Sequence, residues 1–379
     1  MKAATLPFLI AGLGAGVWSN DVAATADICQ GPGLYLRSLD RTGVRQAAPA
    51  SPTQAGIDAL GGTDAGEISL QGLLTHDRAC PVADFSALSR AKHLGDVDDL
   101  PTECLAAFAR TARIPALHAI GVTCGDGTAI DLQQLLAYPA LETVRLVFGC
   151  RTGAGGLAPL AGLPRLRTLI DDDGGSLAGL ETLTMLTSLV IRPADAAIVP
   201  LAKLPGLRAL EITLYQPVDL TTIGGLSALE ELVIGAQAGA PVDVTPLVKL
   251  AGLRRLEIAA DGIAHGAALA GLGNLCALEL SRAGRGIDLA ALAGLSRLRT
   301  LRIDVSGAPS LAPLSRLRAL ETIELASGCK HPVIDLAPLA KLPRLTSVAL
   351  EGAMKAANQA ALGERVHQFR PHHCRGRSR

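Results

Sequence analysis

The stretch from Asp288 to Ile303, DLAALAGLSRLRTLRI, contains the repeating unit that determines the fold. Its apolar residues are three apart until the last step, which is two: Leu289, Leu292, Leu295, Leu298, Leu301 and Ile303. A step of three suits a tight coil or 3₁₀-like turn, whereas a step of two places alternate side chains of a strand on one side. The unit therefore predicts a turn that ends in one short strand.

The same frame recurs along most of the chain. Successive strand anchors are about 20 to 25 residues apart, and the eleven anchors are Ile120, Val144, Leu169, Leu189, Leu210, Leu232, Leu256, Leu278, Leu301, Ile323 and Val348. One unit of this size cannot bury its apolar side alone, whereas stacked units share a continuous core. The sequence therefore predicts an elongated array that grows by adding turns.

This LxxLxxLxxLxxLxL pattern, with a mean period of about 23 residues, resembles the leucine-rich repeat superfamily in its short bacterial, internalin-like form. The turns that carry the resemblance are 157–166, 288–298 and 335–345. The resemblance implies an α/β repeat solenoid: a right-handed horseshoe or arc with short parallel strands on the concave face. The convex face would carry 3₁₀ turns, irregular turns or short helices.

The sequence departs from the family in the turns. The family usually places Asn three residues after the second strand position, and this chain has there Ala194, Tyr215, Gln237, Asp261, Ala283, Ser306 and Gly328. Backbone groups or water are therefore expected to satisfy the turns.

We expect four regions. Residues 105–352 form the array of about 11 repeats, preceded at 27–104 by an irregular N-terminal capping region that can include decayed repeats, and followed at 353–379 by a C-terminal cap and a basic tail. Residues 1–26 have two interpretations. Lys2, the apolar run after it and the small residues 24–26 resemble a signal peptide and favour export to the periplasm or beyond; as an N-terminal cap segment the same residues would belong to a cytoplasmic protein.

Composition and motifs exclude several classes of function. Lys plus Arg equals Asp plus Glu at 35 each, so net charge gives no attraction to nucleic acid, and the apolar run is too short to span a membrane. Gly12-x-Gly14-x-Gly16 lacks the spacing and strand–helix context of a dinucleotide site. No nucleophile-elbow GxSxG is present. We predict no enzyme activity, no cofactor and no nucleic-acid partner.

Three clusters invite a metal interpretation, and none predicts a metal site. In GDVDDLPTEC the acidic residues do not match a calcium loop, so we expect solvated side chains, with Asp99 capping a turn before Pro101. The run 171–173 predicts solvent-facing carboxylates in an irregular turn. His367, His372, His373 and Cys374 lie among arginines in a terminal segment, which favours a loose basic tail.

Binding in such a fold would use the concave strand face, because alternate strand residues point away from the core. The outward column reads Gly121, Arg145, Ile170, Val190, Glu211, Val233, Glu257, Glu279, Arg302, Glu324 and Ala349. Neighbouring columns include Glu231 and Arg255 on one side and Arg192, Thr213, Asp304 and Glu351 on the other. The candidate partner-binding residues are Arg145, Glu211, Glu231, Arg255, Glu257, Glu279, Arg302 and Glu324.

Two interpretations of this column are open. Glu211, Glu257, Glu279 and Glu324 can form a stripe that attracts a basic partner surface, or Arg255 and Arg302 can neutralise them in a surface ladder. Few aromatic residues are available as anchors, since they make up only 2% of the chain, with Tyr215 and Phe148 the nearest candidates. A broad polar contact is therefore expected.

The cysteines contain no CxxC pair and no zinc-finger spacing. Cys124 with Cys150 and Cys80 with Cys104 are candidate pairs, as disulfides in an exported protein or as thiols in a reducing cytosol. Cys276, inside a repeat, is expected to be a small apolar filler.

These observations favour a non-enzymatic protein-interaction scaffold that binds a protein partner on its concave face. Two alternatives are an exported bacterial surface or envelope-associated recognition protein, and an enzyme whose activity lies in the N-terminal region. A fold does not by itself dictate function.

Overall fold

The computed structural model describes residues 29, 46–48, 53–70, 73, 79–125, 128–147, 150–153, 155–172, 175–194, 197–237, 239, 241–282, 288–305, 307, 309–327 and 331–369. The segment 1–26, with its GxGxG motif, lies outside these residues, as do Phe148, Asp173 and the tail from residue 370. The expectations for these parts remain predictions.

One long parallel sheet organises the described chain. Its fifteen strands, in spatial order, are β1 (Gln46–Ala47), β2 (Glu67–Ser69), β3 (Asp96–Pro101), β4 (Ala119–Thr123), β6 (Thr143–Val147), β8 (Thr168–Asp171), β9 (Ser188–Ile191), β10 (Ala209–Leu214), β11 (Glu231–Ala236), β13 (Arg255–Ala259), β15 (Ala277–Ser281), β16 (Thr300–Asp304), β17 (Thr322–Ala326), β19 (Ser347–Glu351) and β21 (Val366–Phe369). Three outlying two-stranded sheets pair β5 (Ala129–Ile130) with β7 (Arg151–Thr152), β12 (Val242–Asp243) with β14 (Ile263–Ala264), and β18 (Val333–Asp335) with β20 (Lys355–Ala357).

The strands follow the register that the sequence predicts. Every anchor lies opposite the next, from Ile120 opposite Val144 through Leu278 opposite Leu301 to Ile323 opposite Val348. The anchors are buried in one continuous leucine-rich core. This parallel arc is the predicted repeat solenoid.

Short 3₁₀ helices form the other side of most repeats. They span Ser86–Arg90, Leu132–Ala137, Ala158–Gly162, Leu180–Thr182, Val199–Lys203, Thr245–Lys249, Gly266–Gly271, Leu289–Gly294, Ala312–Arg316, Ala337–Lys341, Gln359–Ala361 and Gly363–Arg365. Three α-helices are described: α1 (Gln54–Leu60), α2 (Thr102–Thr111) and α3 (Thr221–Gly224). Apolar steps of three match the 3₁₀ period, so one leucine per turn reaches the core.

The N-terminal region continues the same sheet. Strands β1, β2 and β3 pair in parallel with one another, and β3 pairs with β4. Ile68, Leu70, Phe85 and Leu88 are fully buried in the same core as the later strands. The boundaries at residues 26, 104 and 352 stay predictions.

Aspartates stabilise the starts of five of the outer helical turns, which lie several residues beyond the positions of the missing Asn ladder. Each accepts a hydrogen bond from the backbone N–H two residues later, as Asp288 does from Ala290 at 2.9 Å; the others are Asp131, Asp219, Asp243 and Asp335. The hydroxyl of Thr221 and then its backbone N–H lower the pKa of Asp219, and the backbone N–H of Thr245 and then its hydroxyl lower the pKa of Asp243. Beyond the ends of the strands, backbone hydrogen bonds between adjacent repeats continue, as from Gln237 N–H to Leu214 O at 2.9 Å. In the described residues, backbone groups therefore satisfy one another after the strands, and aspartates satisfy N–H groups at the starts of the outer turns.

Candidate functional site

The outward column forms as the sequence predicts. Glu257 lies opposite Glu279, Glu279 opposite Arg302, and Arg302 opposite Glu324 in adjacent strands. Glu211 and Val233 occupy the same column two strands and one strand earlier. Parallel pairing in register stacks these side chains about 4.8 Å apart, so their charges interact directly.

Arg302 is the centre of the acidic part of this face. Its guanidinium lies 3.5 Å from Glu279 and 3.2 Å from Glu324 through Nε, and 3.0 Å from Glu351 through Nη2. Three carboxylates thus share one arginine. Glu351, which we placed only in a neighbouring column, belongs here because a long arginine side chain reaches two strands away.

Arg255 links a second group of carboxylates. Its Nε is 3.4 Å from Glu231 and its Nη2 is 3.5 Å from Glu257. We call Glu231, Arg255, Glu257, Glu279, Arg302, Glu324 and Glu351 together the acidic cluster. Five carboxylates against two guanidinium groups leave a formal charge of three negative units when all are ionised. Ion pairing, as in the ladder interpretation, therefore coexists with a net acidic surface.

Burial changes the protonation of this cluster. Burial, followed by repulsion from Glu257, raises the pKa of Glu279 to about 7, although Arg302 and Arg255 oppose the shift. Burial also raises the pKa of Glu324 to about 7, against the attraction of Arg302. The cluster therefore gains negative charge as the pH rises through neutrality.

Exposure differs along the column. Glu231 and Glu257 are 1% and 6% exposed, whereas the side chains of Glu324 and Glu351 are 25% and 29% exposed. Ile170 and Val190 form a small apolar cluster with Ala209, and each is 1% exposed although it points away from the main core. Among the carboxylates around Arg255 and Arg302, those of β17 and β19 are therefore the most accessible.

Arg145 is held apart from this cluster. Its Nη2 lies 2.5 Å from Asp96 and its Nε 3.2 Å from Asp98, and the arginine is 3% exposed. Strands β8 and β9, with Ile170 and Val190 in the column, separate it from Glu211. As a partner-binding residue Arg145 stays a prediction, and its observed contacts are with β3.

Two expectations for the acidic loops are wrong. Asp171 does not face solvent but lies at a core position with 3% exposure, while Asp172 ion-pairs with Arg192 at 2.6 Å. Asp99 does not cap the turn; it has φ of 54° and accepts a hydrogen bond from Ser69 at 2.7 Å. Both Asp171 and Asp99 lie in strands, where alternation decides whether a side chain faces the core or the surface. The acidic composition of a segment does not show which.

The six cysteines among the described residues form three disulfides. Cys80 pairs with Cys104 and Cys124 with Cys150, as predicted. Cys276 is not a filler, because it is bonded to Cys29. A partner 247 residues away leaves no local spacing signal, so sequence reasoning missed it.

Other candidate chemistry finds little support in the described part of the chain. There, no group of three or more His, Cys, Asp and Glu side chains could hold a metal ion. Tyr215 follows the last residue of β10 and is 48% exposed, so it is open to contact. None of the described helices has the length and apolar character needed to cross a bilayer.

Solved structures with the same architecture support the fold assignment. An internalin (inlF) from Listeria monocytogenes aligns over 83% of this chain and 88% of its own, with a TM-score of 0.54 and 16% sequence identity. The TLR13–ssRNA13 complex aligns over 80% of this chain and 50% of its own, with a TM-score of 0.52 and 15% identity. No family model and no curated protein sequence matches the chain. The fold is a leucine-rich repeat solenoid similar to that of the internalin structure.

Proposed function

We propose that this protein is a non-enzymatic interaction scaffold whose concave face binds a protein partner with a basic surface. The observation that carries the proposal is the excess of carboxylates around Arg302, among which Glu324 and Glu351 are partly exposed. One arginine cannot neutralise three carboxylates. A guanidinium or ammonium group of a partner would pair with the remaining negative charge.

The fold makes this face suitable for a broad contact. The strands present a nearly continuous row of outward side chains, and repeat arrays offer extended concave surfaces. Because the acidic cluster is polar and partly buried, we expect charge to set specificity and the rate of association more than raw affinity. The structurally similar TLR13 is in complex with ssRNA13, but an acidic surface disfavours such a polyanion here.

A titration with an arginine-rich peptide tests the proposal. Wild type should bind the peptide with an affinity that falls as salt is added, and Glu324→Gln with Glu351→Gln should weaken binding about tenfold or more. The matched control is Glu181→Gln, which neutralises an exposed glutamate on an outer 3₁₀ helix. Equal binding by both variants would remove the acidic cluster as the binding surface.

An exported recognition protein is the second candidate. Three disulfides among the described residues favour it, because structural disulfides persist in oxidising compartments and are rare in the cytosol. The intact mass of the protein from its native source tests this, with and without reduction. Loss of residues 1–26 together with protected cysteines supports export, and a full-length mass with free thiols contradicts it.

A further inference from the structure

Exposed cations collect on one flank of three consecutive repeats. The segments that run from each outer 3₁₀ helix into the following strand, 289–300, 312–322 and 337–347, contain six arginines and lysines and one glutamate. The outer helices of these segments pack side by side, and their strands β16, β17 and β19 are adjacent in the sheet. We call the cations of these segments together the basic flank: Arg297, Arg299, Arg316, Arg318, Lys341 and Arg344.

Ion pairing within the described chain neutralises one cation of the basic flank. Arg299 and Glu321 form a bidentate pair, with Nε–Oε1 at 3.0 Å and Nη2–Oε2 at 3.1 Å. Arg297 donates a hydrogen bond to the side-chain oxygen of Asn274, which carries no charge. The cations that are exposed and make no ion pair with a described carboxylate are Arg297, Arg316, Arg318, Lys341 and Arg344.

Earlier repeats do not bring cations together in this way. Arg165 and Lys203 belong to segments on either side of the one that carries Glu181. Lys249 is followed by the segment 266–277, which contains no charged residue. The segments from residue 289 onward place cations in one repeat after another, so their attraction for an anion adds up there.

The same repeats carry the opposite charge on their concave face. Glu324 of β17 and Glu351 of β19 are partly exposed there, whereas the cations of the basic flank precede these strands. An anion attracted by the flank is repelled by the acidic cluster, so the two surfaces select ligands of opposite sign. The basic flank is therefore separate from the binding site proposed above.

The side chains of the basic flank narrow the class of anion. A membrane surface or an amphipathic peptide is anchored by apolar side chains, and single-stranded nucleic acid by aromatic rings on which its bases stack. The three segments contain no aromatic residue. The large exposed apolar residues of the described chain all lie outside them: Leu136, Met185, Val199, Tyr215, Val248 and Val333. Cations repeated from turn to turn suit a linear polymer that carries charge along its length.

We propose that the basic flank binds an anionic polysaccharide. Its sulfate or carboxylate groups pair with the guanidinium and ammonium groups of successive repeats, and arginine can hold such groups through two parallel hydrogen bonds. The polymer lies across the outer turns, outside the concave face. This binding activity does not depend on the protein-binding function.

Titration with a heparin fragment, a sulfated polysaccharide, tests the proposal. A fluorescently labelled fragment should bind the full chain, with an affinity that falls as salt is added, because exposed charges are screened. A neutral dextran of the same length should not bind. The variant that combines Arg316→Gln, Lys341→Gln and Arg344→Gln should bind the fragment about tenfold more weakly.

The matched control is the variant that combines Arg165→Gln, Lys203→Gln and Lys249→Gln. It removes the same charge from exposed cations at corresponding positions of earlier repeats, and its affinity for the fragment should stay close to that of wild type. Equal losses in the two variants, or no salt-dependent binding by wild type, would overturn the proposal.

Competing ligands decide the class of anion. Tighter binding of single-stranded DNA or of phosphatidylglycerol vesicles than of the heparin fragment, lost in the variant of the basic flank, would also overturn the proposal. The arginine-rich peptide should bind that variant at least as tightly as wild type, because the acidic cluster is unchanged. Loss of heparin binding with retained peptide binding therefore separates this site from the concave face.

Discussion

Arg145 reaches across an entire strand to pair with Asp96, with Nη2 and Oδ1 2.5 Å apart. Gly121 of the intervening strand β4 makes this possible because it has no side chain. A Cβ at that position would lie 1.7 Å from Asp98 Oδ1 and 3.3 Å from Arg145 Nε. The glycine, the arginine and two aspartates thus form one buried unit joining β3 to β6.

Gly121→Ala should disrupt this unit. The added methyl group displaces Asp98 and leaves a buried guanidinium with poorer pairing, so we expect the free energy of unfolding to fall by about 2–4 kcal/mol. Urea unfolding followed by circular dichroism measures the change. Gly273→Ala is the control, since nothing lies within 4 Å of its Cβ position; equal losses in both variants would contradict the account.

The aspartates of the outer turns should each contribute to stability. Asp288→Ala removes the acceptor for Ala290 N–H and should lower the free energy of unfolding by about 1 kcal/mol. Asp288→Asn keeps an acceptor oxygen and should retain most of the stability that the alanine variant loses. Thermal unfolding of the two variants checks this, and an alanine variant as stable as the asparagine variant would show that the hydrogen bond is not needed.

Tyr138 fastens the second repeat to α2. Its hydroxyl lies 3.0 Å from Phe108 O and 3.2 Å from Ala112 O, at the carboxyl end of the helix, and its ring packs 5.5 Å from that of Phe108. Tyr138→Phe keeps the ring but removes the hydroxyl donor from the Ala112 carbonyl, whereas the Phe108 carbonyl keeps its hydrogen bond from Ala112 N–H. We therefore expect a loss of about 1–3 kcal/mol in chemical denaturation. Tyr215→Phe, at a residue 48% exposed, should change the stability very little. An equal loss in both variants would show that the loss in Tyr138→Phe does not come from its hydrogen bonds.

The acidic cluster predicts a pH dependence of stability. Folding raises the pKa of Glu279 from 4.5 to about 7, so the folded state binds more protons than the unfolded state between these values. The free energy of unfolding attributable to Glu279 therefore falls as the pH rises from about 4.5 to about 7 and is constant above.

Glu279→Gln removes this titration. Relative to wild type, the variant should be more stable at pH 8, on the order of 1–3 kcal/mol, and the advantage should shrink towards pH 5. Melting temperatures measured for both proteins across this range test the slope. A pH-independent difference would show that Glu279 does not titrate there.

The strand register could be predicted because it depends on local spacing. A step of three followed by a step of two fixes which side chain of each repeat is buried, and one repeat then fixes the next; Glu279 and Arg302 become neighbours for that reason alone. The same rule placed Glu324 on the outward column.

What the sequence could not reveal depends on contacts across the face. The lengths of side chains, rather than spacing, bring Glu351 to Arg302. The pairing of Cys29 with Cys276 joins residues 247 apart, with no repeat relationship between them. Ile170 and Val190 are buried by tertiary contacts. Periodicity predicts only that their column points away from the core.

The most direct test of the central claim is a crystal structure of the protein with an arginine-rich peptide bound. We predict guanidinium groups about 2.7–3.2 Å from the carboxylates of Glu324 and Glu351, with the peptide on the strand face. A peptide seated on the outer 3₁₀ turns, with the acidic cluster unengaged, would contradict the claim.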